Sequence, residues 1–424
     1  MIREDFLHYL WKHKLFDITK LSTTEGESLS ILHSGTHNFN AGPDFFNAKI
    51  KIDNQVWVGN IEIHVKSSDW YVHNHEKDTA YDTIILHVVW EDDVAVFRNN
   101  KTAITTLNLQ KYVSSEMLIS YQNLFSKHKK WINCEKDIAT ISKFSLDNWK
   151  ERLYLERLEN KSTLILELLK KSNNNWEAVL FKLLAKNFGL KVNGASFFNM
   201  ANSFDFSILK KNQSKILNIE ALLFGQLALL THDIEDSYFL TLKQEYQFLQ
   251  AKFKLQSIAK NEVSFFRLRP SNFPTIRLSQ LANLYVKQPS LFSKIMAITK
   301  LEDYYSLLSS QASIYWETHY TFNKTSKKRV KTITKPFMDL LIINTIIPLR
   351  FVYQRFIGKM DEETILQIIK GIKPEKNSII EKFSILQIPS KNALETQALI
   401  QLKNDYCMKQ RCLECSIGNT LLKR

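Results

Sequence analysis

The chain has 424 residues, 44% of them hydrophobic and 24% charged, and its 57 Lys+Arg against 43 Asp+Glu leave a formal charge of +14. This much apolar material excludes a disordered chain, and the length exceeds one ordinary core, so two or three domains are expected. No run reaches the roughly 18 apolar residues of a bilayer span; the longest, Phe337 to Leu349, is broken by Asp339 and Asn344. Met1-Ile2-Arg3-Glu4-Asp5 lacks a signal-peptide pattern, so a cytoplasmic protein without membrane contact is expected.

In chain order, Arg3 to Phe16 reads as an amphipathic helix, with Phe6, Leu7, Leu10, Trp11 and Leu15 at helical spacing. Strands follow at Leu29 to His33, Phe45 to Ile52, Val56 to Lys66, Thr83 to Trp90 and Val94 to Arg98, with mostly loop between His75 and Asp82. Strand alternation sends Glu62, His64 and Lys66 to one face and Ile61, Ile63 and Val65 to the other. With Asp53-Asn54 as a two-residue turn, Asp44 comes opposite Ile63, beside Glu62 and His64. A one-residue bulge at Gly59 would move its partner to His64. In either register the two carboxylates approach, and two such groups repel unless a proton or cation intervenes.

Pro43-Asp44, followed by a strand with Glu62-x-His64 and then Lys66, resembles the PD-(D/E)XK nuclease superfamily, which places a Pro-Asp and a Glu-x-Lys on adjacent strands. The resemblance implies a mixed sheet flanked by helices, restriction-endonuclease-like. It also implies that Asp44 and Glu62 hold magnesium or manganese while a third residue positions or activates water. His64 stands at the lysine position and Lys66 lies one strand repeat beyond, so that third role is open between them. The chain also resembles an uncharacterised bacterial family defined only as a domain of unknown function. That resemblance is carried by Gly42-Pro43-Asp44-Phe45, Glu62-Ile63-His64, His73-Asn74-His75 and Leu86-His87-Val88-Val89.

Six of the 11 histidines are His33, His37, His64, His73, His75 and His87. His73-x-His75 has a spacing that chelates zinc or manganese, and the alternative is a solvated loop. His87, inside the apolar run Ile84 to Val89, reads as a hydrogen-bonded core histidine.

Beyond residue 110 the character changes to Leu/Lys/Glu/Asn stretches of helical period, dividing the chain into a 1–110 α/β module and an all-α body at 111–424. Helices are expected at Trp149 to Lys171, Trp176 to Phe188, Ile216 to Leu230, Tyr238 to Ile258, Arg277 to Tyr285, Pro336 to Phe356, Glu362 to Ile369 and Asn392 to Tyr406. Ser172-Asn173-Asn174-Asn175 and the stretch Arg269 to Pro274 read as breaks. Residues 1–100 hold 9 Lys+Arg and 15 Asp+Glu, so the other 48 and 28 give the remainder +20. A basic body of that size suits a phosphate backbone. Its densest stretch contains Lys324, Lys327, Lys328, Arg329 and Lys331, with Tyr320 and Phe322 upstream for base stacking. A solvated loop is the alternative.

The four cysteines are Cys134 and the group Cys407, Cys412 and Cys415. In a cytoplasmic protein a metal explains such clustering better than disulfides. Both zinc and a [4Fe-4S] cluster accept four thiolates, and spacing does not choose. The arrangement resembles iron–sulfur members of the PD-(D/E)XK superfamily, although there the lone cysteine precedes the nuclease core and Cys134 follows it. Three functions fit the sequence: a metal-dependent nuclease on DNA or RNA, a nucleic-acid-binding protein that has lost cleavage, and a histidine-rich metallohydrolase of small molecules.

Overall fold

In the computed structural model, which describes residues 2–125, 130–258 and 263–423, the chain divides into two compact units. The first comprises Met1–Trp149, Ile385–Ile388 and Leu402–Arg424, and the second Lys150–Ser384 and Pro389–Gln401. The sheet-bearing unit therefore runs past residue 110 and takes in the C-terminal cysteine segment.

Helix α1 (Glu4–His13) opens the first unit, with Glu4 and Asp5 in its first turn and Lys12 and His13 in its last, as the helix dipole favours. Its strands are β1 (Leu21–Ser22), β2 (Ser28–His33), β3 (Thr36–His37), β4 (Phe45–Ile52), β5 (Gln55–Lys66), β6 (Ile84–Glu91) and β7 (Thr106–Asn108). They form one seven-stranded sheet in the order β1-β2-β4-β5-β6-β7, with β3 beside β4. Pairing is antiparallel up to β5 and parallel from β5 through β6 to β7. A single helical turn, α2 (Asp69–Val72), and two 3-10 turns at His75–Lys77 and Thr79–Tyr81 carry the β5–β6 crossover. Helix α3 (Ser115–Leu124) follows β7. The strand expected at Val94 to Arg98 is reduced to one bridge, Phe97 to Ala103, and the three-residue β7 was not anticipated.

The β4–β5 hairpin turns at Asp53-Asn54 as its sequence requires, and the pairing Ile52 to Gln55 holds as far as Ala48 to Gly59. The bulge is in β4, not at Gly59. Asn47, left-handed at φ 55°, inserts one residue, so Phe45 faces Ile61; asparagine tolerates that conformation better than most side chains. Gly59 serves a different contact: a Cβ there would lie 2.4 Å from Ile85 Cγ2 and 2.7 Å from the Thr83 carbonyl oxygen.

Ile61, Ile63, Leu86, Val88 and Leu107 pack with Phe6, Leu10 and Trp11 of α1 in one apolar core. Trp70, Tyr81, Ile84, Val96 and Ile104 form a smaller cluster. Because alternation puts Glu62, His64 and His87 on the face away from α1's apolar stripe, they come under the crossover segment.

The second unit is helical. Trp176–Phe188 forms as its periodicity dictates, and the break before it holds Asn173 and Asn174 in left-handed conformation while Asn175 caps the Ala178 N–H. Pro270 opens a 3-10 turn and Pro274 the helix Pro274–Lys287. The helix Leu190–Asn202 and the short helices Phe206–Asn212, Leu291–Ala297 and Leu301–Leu308 were not expected. Among the described residues one helix, Lys335–Phe356, is long and apolar enough to cross a membrane by length and composition, and 72% of its most apolar window is buried inside the protein.

Candidate metal centre

The Asn47 bulge brings Asp44 level with Glu62. The Asp44 N–H donates to Glu62 Oε2 at 3.1 Å and the Ile63 N–H donates to Asp44 Oδ2 at 2.9 Å, so backbone hydrogen bonds hold both carboxylates in place. Parallel pairing of β5 with β6 sets His87 beside Glu62. From α1, His8 reaches the same place, its Nε2 3.1 Å from Asp44 Oδ2.

The imidazoles converge from three segments. His64 Nδ1 lies 2.8 Å from His87 Nε2, and His64 Nε2 lies 3.1 Å from His73 Nδ1. Glu62 Oε1 is 3.7 Å from His64 Nε2 and 3.2 Å from His75 Nε2. His73 and His75 get there because α2 ends at Val72 and Asn74, left-handed at φ 59°, reverses the chain between them. The His75 ring stacks on Tyr81 at 3.8 Å. Among the described residues, His64, His73 and His75 are the one set of three donor atoms lying within 4.8 Å of one another. An ion bound at about 2.0–2.1 Å to four ligands in a tetrahedron spaces them about 3.3 Å apart. Three of the separations lie near that length, His64 Nε2 to His73 Nδ1 at 3.1 Å, Glu62 Oε1 to His75 Nε2 at 3.2 Å and Glu62 Oε1 to His64 Nε2 at 3.7 Å, while Glu62 itself lies outside the set whose atoms all fall within 4.8 Å.

Electrostatics point the same way. Glu62 and His64 are 4% and 1% exposed, and His87 is fully buried. Burial, then the Asp44 charge, pushes Glu62 up to about 9, so without a cation the carboxyl is neutral. Burial and neighbouring histidines push His64 down to about 2, and burial pushes His87 to about 3, leaving neutral imidazoles, the form that ligates metals. Burial alone would lower His8, but hydrogen bonding and charge from Asp44 outweigh it and raise it. Burial raises Glu4, one turn before His8.

These shifts fix a pH dependence for the metal-free protein. Between the ordinary carboxyl range and about 9 the folded state keeps a proton on Glu62 that the unfolded chain has released, so stability falls as pH rises. His64 and His87 act oppositely, but their effect is complete by about pH 6.5, where a free histidine titrates. From about 6.5 to 7.5, before the thiols of the unfolded chain begin to ionise, Glu62 and His8 lower stability as pH rises, while Lys161 of the second unit, pushed down to about 7 by burial, raises it. In denaturant unfolding the stability of wild type relative to Glu62→Gln isolates the Glu62 part: it should fall as pH rises, and saturating manganese or zinc should remove that dependence. A difference that does not change with pH would refute the assignment.

A family profile described as a protein of unknown function (DUF2851) matches residues 4–378. The chain belongs to the DUF2851 family. Neither the curated proteins nor the solved structures contain a significant match to it. The stretch matched to DUF2851 includes every residue of the centre, from Glu4 to His87, and ends before Cys407.

Other expected site residues lie elsewhere. Lys66 faces Glu91 in the β5–β6 register and pairs with it at 3.3 Å, 48% exposed, so it is not a member of the centre. His33 Nδ1 accepts from the Gly35 N–H in a turn, and His37 stacks on Phe45 at 4.7 Å. Within the second unit Lys324, Lys327, Lys328 and Arg329 are exposed. Lys331 is a correction: it is 7% exposed and donates to the carbonyl oxygens of Trp316 and Glu317 while lying over the Tyr320 ring, because a buried ammonium needs acceptors. Phe322 is also turned inward, against Phe239 at 5.0 Å and Trp316 at 5.1 Å, so it does not offer a stacking platform. Glu4 and His8 escaped the sequence reading. Their signal was there: two ionisable residues four apart beside the apolar stripe of the first helix.

Cys134, Cys407, Cys412 and Cys415 line one cavity of the first unit, all as free thiols. Burial and the neighbouring sulfurs push Cys134 and Cys407 up, the latter to about 12, and burial puts Cys415 at about 11.

Proposed function

We propose that the sheet unit is a divalent-metal-dependent phosphodiesterase acting on DNA or RNA. The ion is held by His64, His73, His75 and Glu62, with Asp44 and His8 beside it to orient and deprotonate the attacking water. The observation that carries this reading is the convergence of three imidazole nitrogens beside a buried carboxylate, at spacings that suit one ion. Magnesium prefers an all-oxygen octahedron, whereas manganese and zinc accept imidazole, so the ion is manganese or zinc rather than magnesium. In this reading His64 is a ligand, and neither it nor Lys66 takes the lysine role of the PD-(D/E)XK pattern. Support for phosphodiester chemistry comes from the element order (helix, antiparallel strands β1 to β5, crossover, parallel strands β6 and β7) and from Asp44 and Glu62 level with each other on adjacent strands. Helix, strands, crossover and strand is the general order that the PD-(D/E)XK resemblance implies.

Manganese- or zinc-loaded protein should cut DNA or RNA, and Asp44→Asn and Glu62→Gln should abolish cutting while remaining folded. Metal-loaded wild type that binds nucleic acid yet leaves every strand intact would reject the enzyme and favour a binding protein. The absence of a lysine from the centre favours a second reading, hydrolysis of a small molecule; failure to bind nucleic acid even at low salt would select it. If the second unit holds the strand, Lys327→Ala/Lys328→Ala/Arg329→Ala should lower the slope of log affinity against log salt by about 2–3, since each phosphate contact contributes about 0.7–0.9.

A further inference from the structure

The four cysteines come from separate pieces of local structure. Cys134 lies in the loop after α3, Cys407 ends the π-helical turn Leu402–Cys407, Cys412 opens the 3-10 turn Cys412–Glu414, and Cys415 precedes the helix Ser416–Leu422. Burial holds the metal-free thiols protonated, yet particular groups near three of the sulfurs would stabilise a metal-bound thiolate. Asn133 Nδ2 donates to Cys412 Sγ at 3.4 Å, the Ile417 and Gly418 amides serve Cys415, and Lys403 stands by Cys407. Such hydrogen bonds and cations stabilise thiolates bound to metal. Gly418 is part of this construction, because a Cβ there would lie 2.1 Å from the Cys412 carbonyl oxygen.

The four cysteines line one cavity, and four thiolates accept either zinc or a [4Fe-4S] cluster. The turn bearing Cys412 also touches α1. Leu413 shares the core with Phe6, Leu10 and Trp11, Arg3 and Asp5 act electrostatically on Cys412, and Lys12 and His37 on Glu414.

We propose that Cys134, Cys407, Cys412 and Cys415 ligate one metal group, zinc or a [4Fe-4S] cluster, that fixes the C-terminal segment against α1, the helix that carries Glu4 and His8. The group is structural and takes no part in hydrolysis. Neither its presence nor its hold on α1 depends on the phosphodiesterase reading.

Full-length protein purified without oxygen should contain either one zinc per chain or iron and acid-labile sulfide in equal amounts, four of each per chain, the latter with a broad visible absorption. Four freely alkylated thiols in folded, metal-free protein would overturn the site. Removing the metal anaerobically with a chelator should then speed amide exchange in residues 4–13 and 131–138 while leaving Ile216–Gln226 unchanged. Metal loss without faster exchange in α1 would overturn the structural role. Cys415→Ser should lower the metal content, but the wild-type analysis decides the question even where that variant fails to fold.

Discussion

A His64→Ala protein is expected to bind manganese or zinc at least about 100-fold more weakly than wild type, because His64 joins both halves of the centre. Its Nε2 meets His73 and Glu62, and its Nδ1 is steadied by His87. Loss of an outer-shell partner alone costs roughly 10–100-fold in metal affinity, so loss of a ligand should exceed that range. His87→Phe supplies the graded comparison. It touches only the far nitrogen of His64, and its effect should fall within the outer-shell range. Calorimetric titration of metal-free protein reads both, with His33→Ala, whose ring serves a turn, as the unaffected control. An affinity for His64→Ala within threefold of wild type would remove the histidine centre and with it the hydrolytic reading.

The sequence exposed this site to different depths. Alternation along 61–66 was enough to put Glu62 and His64 on a common face, because a strand's period of two needs no tertiary information. The hairpin register was readable from Asp53-Asn54 back to Ala48 and no further, since the deciding bulge depends on Asn47 taking a left-handed conformation that glycine at 59 appeared better suited to supply. Lys66 followed the alternation, but one repeat further out β5 has a register partner of opposite charge, Glu91, which holds it at the surface. Pairing of His64 with His87 was out of reach: it rests on the parallel register of β5 and β6, set across a crossover that carries no local pairing signal. The same limit applied to Lys331 and Phe322, where runs of charge and aromatics look alike in sequence whether they face water or fold inward.

Gly59→Ala is expected to destabilise the first unit by about 1–3 kcal/mol, the usual cost of overpacking, and also to impair the metal centre. Ile85 Cγ2 and the Thr83 carbonyl would lie 2.4 and 2.7 Å from the new methyl, and the carbonyl is backbone that accepts the Asn60 N–H at 3.0 Å. Relief requires the start of β6 to move away from β5. That displacement falls just before the irregularity between Asn60 and Ile61, after which Glu62 pairs with His87. A shift there separates His87 from His64, so metal affinity should fall by the outer-shell amount although no ligand has been replaced. Gly26→Ala, at a site with open space around its Cβ position, controls for glycine replacement in itself, carrying only the strain of its positive φ. Thermal unfolding and metal titration on the same samples separate the two effects. If Gly59→Ala is destabilised but retains full metal affinity, β6 has yielded without moving His87, and close approach at Gly59 does not set the geometry of the centre.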